Sequence, residues 1–225
     1  MKDNKKLPRS KKNLFKISRV LLLITVIVIP LSLPAEENPA EKALIIYYSR
    51  TGKTKLVSEI LKKNLDADIL AINDPKDRSG AWGYIISSID AFSHKHTPIE
   101  PEQFDISAYS FIIVASPIWS WSLSTPIHTL FEKNRFDGKK IVLITTANIH
   151  IMKYEQYGDD ASFIKRFLRD YLREKRELAV SEVSNSGGKF IGHYHIPTKE
   201  KTESEIIEEA MKCFDYVKRA IANSF

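Results

Sequence analysis

Residues Ala43 to Leu65 constrain the fold more than any other stretch of the chain. Ala43, Leu44, Ile45, Ile46, Tyr47 and Tyr48 form an unbroken apolar, β-rich run, the pattern of a strand buried on both faces of a parallel sheet. Ser49, Arg50, Thr51, Gly52, Lys53 and Thr54 follow at once, and then Leu56, Val57, Ile60, Leu61 and Leu65 recur at helical spacing. Strand, tight loop and helix in this order aim free backbone N–H groups and the positive end of a helix dipole at one point. Short hydroxyl side chains there add further donors, so the junction predicts a phosphate cradle. A nucleotide-triphosphate P-loop is excluded by spacing. It needs a second glycine five residues before Gly52, where this chain has Tyr47.

The chain of 225 residues has room for one domain with appendages. Its formal charge of +6 misleads about that domain. Residues 1–35 hold eight Lys or Arg and one acid, Asp3, a net of +7, which leaves residues 36–225 at −1. The body is therefore not a nucleic-acid binder by charge. Val20 to Leu33 is apolar except for Thr25, Pro30 and Ser32, a run of 14 residues. As a helix it would reach roughly 21 Å, short of the ~30 Å hydrocarbon core.

Residues 1–35 thus read as a signal peptide or membrane anchor, 36–42 as a linker and 43–225 as the domain. Leu33 stands where cleavage prefers a small residue, so an uncleaved anchor stays open. The basic residues precede the apolar run, whereas Glu36, Glu37 and Glu41 follow it. That asymmetry sends the domain across the membrane, with a cytoplasmic domain as the alternative. The single cysteine, Cys213, rules out an internal disulfide and shares a helix face with Ile206, Ala210, Val217 and Ile221, so it reads as a buried thiol.

After the first helix, Asp68 to Asn73 reads as a second strand. Ala81 to Phe92 reads as an inserted helix that places Trp82, Ile85, Ile86, Ile89 and Phe92 at helical spacing. Phe111 to Ala115 is a third strand, followed by a loop from Ser116 and a helix from about Thr125. Ile141 to Thr146 is a fourth strand, Ala161 to Glu174 a helix and Leu178 to Val183 a fifth strand. Phe190, Ile191 and Tyr194 fall in a loop after Gly187 and Gly188, and Glu203 to Ala222 closes the chain as a helix. Alternating strands and helices predict a doubly wound five-stranded parallel sheet with helices on both faces. His193 and His195, like His94 and His96, lack metal partners at a recognisable spacing and read as ordinary surface histidines.

The pattern Ser/Thr, any, Thr, Gly, any, Thr at Ser49–Thr54 resembles the phosphate loop of the flavodoxin family. Ser116, Pro117, Ile118 and Trp119, then Thr125, Pro126 and Ile127 before a helix, resemble the family's flavin-ring loop. The resemblance runs from about Ala43 to Ile221. It implies strand order 2-1-3-4-5 and a ligand crevice between strands one and three, the switch-point geometry that flavodoxin itself exemplifies. It also implies non-covalent FMN. Ser49, Arg50, Thr51, Gly52, Lys53 and Thr54 would cradle the phosphate, Ser116, Pro117, Ile118 and Trp119 would flank the ring, and Thr145 and Thr146 would reach its polar edge. The family's third loop commonly carries glycines, where this chain has Thr145, Thr146, Ala147, Asn148, Ile149 and His150. The implied activity is electron transfer between a redox partner protein and the flavin, or reduction of a quinone-like acceptor by NAD(P)H. The alternative is a non-catalytic envelope protein that keeps the fold and has lost the cofactor.

Overall fold

The computed structural model describes residues 42–93, 95–148, 158–159 and 162–224. Strand β1 (Ala43–Tyr47) is buried at every position and pairs in parallel with β2 (Asp68–Ala71) on one side and β3 (Phe111–Trp119) on the other. Strand β4 (Ser122–Leu123) folds back antiparallel onto the end of β3. Strands β5 (Lys140–Ala147) and β6 (Lys189–Pro197) complete the parallel order β2-β1-β3-β5-β6. Among the described residues, five helices pack on this sheet: α1 (Lys53–Leu65), α2 (Gly80–Phe92), α3 (Thr125–Lys133), α4 (Phe163–Asn185) and, after the last strand, α5 (Glu203–Ala222).

The sheet divides the core in two because side chains alternate across it. Ile45, Ile113, Val142 and Ile144 pack under α1 and α5 with Val57, Leu61, Ile206 and Cys213. Ile46, Ile112, Val114 and Leu143 pack under α2, α3 and α4 with Ala91, Ile127, Leu130 and Val183. The expected flavodoxin-like α/β fold, with the path 2-1-3-4-5 across its five parallel strands, is the fold observed. The β4 hairpin is an addition to it.

Two elements differ from the sequence expectation. Leu178 to Val183 is the last part of α4, not a strand. The apolar positions Leu172, Ala179 and Val183 recur at helical spacing through it, and the helix runs 23 residues. The fifth parallel strand is β6, built from the Phe190–Tyr194 segment expected as loop.

Helix α2 turns its apolar stripe away from the core. It buries Gly83, Ser87, Asp90 and Ala91, while Trp82, Ile85 and Ile89 stand 71%, 45% and 53% exposed. An ion cluster occupies the space beneath it. Arg78, its side chain only 2% exposed, bonds Asp74 and reaches Asp90 at 3.0 Å, and Lys76 reaches Asp90 at 2.7 Å. A Cβ on Gly83 would come within 2.1 Å of the Arg78 carbonyl carbon, so only glycine permits this approach. Among the described residues, no helix is long and apolar enough to cross a membrane.

Candidate functional site

The connection leaving β1 goes to β2 and the one leaving β3 goes to β5, so the chain departs in opposite directions from these neighbours. Such a switch point opens a crevice at the strands' carboxyl ends. Here it is a cleft of about 320 Å³ with three walls. One is Arg50, Thr51, Lys53 and Thr54. The second is Pro117 to Trp121, and the third joins Thr146, Ala147 and Asn148 to Thr198.

The first wall is a loop with unused donors. Gly52 caps α1 in the left-handed region, φ 85°, and no side chain caps the helix, although Leu56 N–H already donates to the Gly52 carbonyl at 2.9 Å. The amides ahead of Leu56 have no intrahelical acceptor and point along the helix axis. Ser49 Oγ is buried without a hydrogen-bond partner. Thr54 and Thr146 share one hydrogen bond between hydroxyls at 2.8 Å. That bond uses one of their two protons, and the other remains to donate. Lys53 is steadied by donating from Nζ to the Thr198 carbonyl at 2.7 Å. Among the described residues, Arg50 and Lys53 give this cleft two cations, and no carboxylate lines it.

The second wall is a braced hairpin. Trp119 is 5% exposed, set edge-on to Tyr48 at 5.5 Å, with the guanidinium carbons of Arg78 and Arg50 at 5.2 and 5.6 Å from its ring centre. Burial, with Asp74 nearby, pushes the Tyr48 phenol up to about 12, so it stays neutral. Ser120 and Trp121 form the tip with φ of 46° and 70°. Left-handed residues suit the twist of a two-residue hairpin, but non-glycine side chains hold it only under constraint.

Ser116 supplies part of that constraint, accepting from the Ser124 amide at 3.0 Å and meeting its hydroxyl at 3.0 Å. Ser122 supplies the rest. Its Oγ lies 3.2 Å from His128 Nε2, and His128 Nδ1 contacts Glu182 Oε1 on α4. Serine, imidazole and carboxylate in this order have the connectivity of a nucleophilic triad. Ser122 is only 3% exposed and lines none of the cavities described here, so the chain is a brace with no place for a substrate.

Of the residues singled out in the sequence, Arg50, Thr51, Lys53, Thr54, Pro117, Ile118, Trp119 and Thr146 meet at the cleft. Gly52 shapes it from the backbone, and Ser116 works behind it. Thr145 is a correction. Strand alternation turns it to the α4 side, where its hydroxyl meets His193 Nε2 at 2.8 Å and His195 Nδ1 at 2.9 Å beside an adjoining apolar cavity of about 50 Å³ that shares Ile118 and Trp121 with the cleft. This histidine pair is not at the surface: His195 is buried, and burial, with His195 and Arg176 adding, holds His193 down to about 4. His94, Ile149 and His150 lie outside the described residues. Trp121, Asn148 and Thr198 line the cleft without having been singled out as site residues. The misplaced fifth strand hid Thr198, which follows the true one.

A family model for flavodoxins matches residues 42–158, which hold β1 to β5 and both loops of the switch point. The chain belongs to the flavodoxin family. Solved structures agree at the level of this flavodoxin fold. A flavoprotein of Bacteroides uniformis superposes with a TM-score of 0.53 at 16% identity, covering 74% of this chain and 96% of its own. One from Bacteroides eggerthii gives 0.53 at 17%, covering 77% and 98%. A flavoprotein of Lactobacillus acidophilus, solved in complex with FMN, gives 0.50 at 20%, covering 69% and 93%. No curated protein sequence matches this chain.

Proposed function

We propose that the cleft binds FMN non-covalently and that the chain is an FMN-dependent redox protein. The observation that carries this reading is the pairing of a donor-rich loop, including the cations Arg50 and Lys53, with an indole-lined wall in one cleft. The group fits the residues present. The orphaned Ser49 hydroxyl and the uncapped start of α1 ask for an anionic acceptor, and a Cβ built on Gly52 meets no atom within 4 Å, so the loop leaves open space there. Arg50, Thr51, Lys53 and Thr54 would hold the phosphate. Charge-assisted hydrogen bonds net about 1.5 to 3 kcal/mol each, and four of them only offset the roughly 4 to 15 lost on immobilising a ligand. Ring burial must add the surplus, and Trp121, with Pro117 and Ile118, is better placed to supply it than the wedged Trp119.

Bound FMN would supply one- and two-electron redox chemistry. The protein's share is to hold the phosphate, orient the ring between the walls and exclude water with the hairpin. As to location, the basic leader and apolar run of residues 1–35 support an exported or anchored domain fed by a membrane redox partner. A quinone-like acceptor suits that setting better than NAD(P)H.

Titration of apoprotein with FMN and with riboflavin tests the reading. FMN should bind at least a hundredfold more tightly, since only it carries the phosphate. Equal affinities would refute the phosphate cradle, and no binding of either would favour the cofactor-free envelope protein. Trp121→Ala should then restore emission from bound flavin more than Trp119→Ala does.

A further inference from the structure

We propose that the outward face of α2 docks on a lipid bilayer and holds the cofactor cleft close to the membrane. This rests on the anchoring of the chain by residues 1–35 proposed above. The helix is inverted: small or polar Gly83, Ser87 and Asp90 face inward, and Trp82, Ile85 and Ile89, spaced i, i+3 and i+7, form one stripe facing out. Asp90 is the helix's single charged residue, and it is buried against Lys76, Arg78 and Lys95. Desolvating the outer face therefore costs no charge. Helices α1 and α5 differ, carrying Lys55, Glu59, Lys62 and Glu208, Lys212, Lys218 on their exposed sides.

The size of the stripe decides the occupant. Large apolar side chains bury roughly 150 to 250 Å² when fully covered, so these three, about half exposed, offer on the order of 300 Å². A stable homodimer needs about 800 Å² from each partner. A bilayer interface needs no shape match, and a chain already tethered beside it needs only weak insertion to stay docked. Trp82 is of the type that settles at the headgroup level, and Lys95, just after the helix with its side chain 60% exposed and 3.7 Å from Asp90, can meet a lipid phosphate there. Arg78, between Lys76 and α2, lies over Trp119 of the cleft wall. Docking thus brings that wall to the lipid, where a membrane-dissolved redox partner would arrive.

The test uses the full chain with Ile85→Cys carrying an environment-sensitive fluorophore; Cys213 is fully buried and does not compete for the label. The protein is reconstituted in phosphatidylcholine–phosphatidylglycerol vesicles with and without bromine on the acyl chains. The expected result is blue-shifted emission at least halved by the brominated lipids. Adding Trp82→Ser and Ile89→Ser should cut the quenching at least threefold, with FMN affinity and co-sedimentation unchanged. Co-sedimentation without quenching would overturn the docking and leave the anchoring intact. Failure to co-sediment would remove both. A blue shift that grows with protein concentration in the absence of lipid would overturn the proposal in favour of a second copy on the stripe.

Discussion

The two loops that make the cleft are built on opposite principles. The Ser49–Thr54 loop bends through a glycine at φ 85°, has no side-chain cap and keeps a buried hydroxyl unpaired. The Ile118–Leu123 hairpin bends through Ser120 and Trp121, which resist the left-handed region, and is pinned from behind by Ser116, Ser124, Ser122, His128 and Glu182. One loop reserves its polar groups for a ligand, and the other uses its own to stay in place. A site can therefore divide its labour: donors stay unsatisfied where affinity is needed, and satisfied where geometry is needed.

Substitutions should separate these roles, and the hairpin should register the larger stability losses. Trp119→Ala removes a wedged indole and should lower unfolding free energy by about 3 to 5 kcal/mol in urea melts of apoprotein. Trp121→Ala should cost under about 1 kcal/mol there; equal losses would break the distinction drawn between the two tryptophans. His128→Ala leaves the half-buried Glu182 without its imidazole partner and should cost about 2 kcal/mol. A double-mutant cycle with Ser122→Ala should show coupling above about 0.5 kcal/mol, and additive losses would dissolve the brace.

Behind the hairpin, acid should act through His193. Its folded pKa of about 4 lies below the ordinary histidine value of 6.5, so the unfolded chain binds more protons between those values. Stability is fully retained above pH 6.5 and falls as pH drops toward 4, by up to about 3 kcal/mol. His193→Gln should flatten that part of the pH profile, and an unchanged slope would assign it to other groups.

The cradle should show the reverse balance. Gly52→Ala should cost only about 1 to 2 kcal/mol of stability, from the left-handed backbone, yet weaken FMN binding at least tenfold. Ser49→Ala should be smallest, within about 0.5 kcal/mol in apoprotein melts or slightly stabilising, because it deletes a buried unpaired hydroxyl. It should weaken FMN severalfold. A stability loss above 1 kcal/mol would mean that the hydroxyl has a structural partner.

The same contrast explains what could be read from the sequence. The Ser49–Thr54 loop was legible because strand, glycine and helix are set by neighbours in the chain. The hairpin was legible only as far as Trp119. The roles of Ser122 and His128 depend on Glu182, which lies 54 residues beyond His128, and no local pattern announces such a partner. Leu178 to Val183 misled because a short apolar, β-branched run suits a strand or a buried helix end equally, and only its packing under the sheet decides. Trp82, Ile85 and Ile89 marked the helix correctly but not its orientation. Apolar periodicity finds the apolar face of a helix and does not say which way that face points. The buried Arg78 cluster reverses it.

Strand β6 lies at one border of the sheet, where unpaired backbone groups would ordinarily invite another chain to add a strand. Its register against β5 slips at Ile141/Val142, and near that irregularity the His193 amide donates to Tyr216 Oη at 3.0 Å. Gly192 leaves the room for it, since a Cβ there would sit 2.6 Å from the same oxygen. The phenol of α5 thus caps the border from within the molecule. At this point the sheet cannot grow by pairing, which protects the domain against edge-to-edge aggregation.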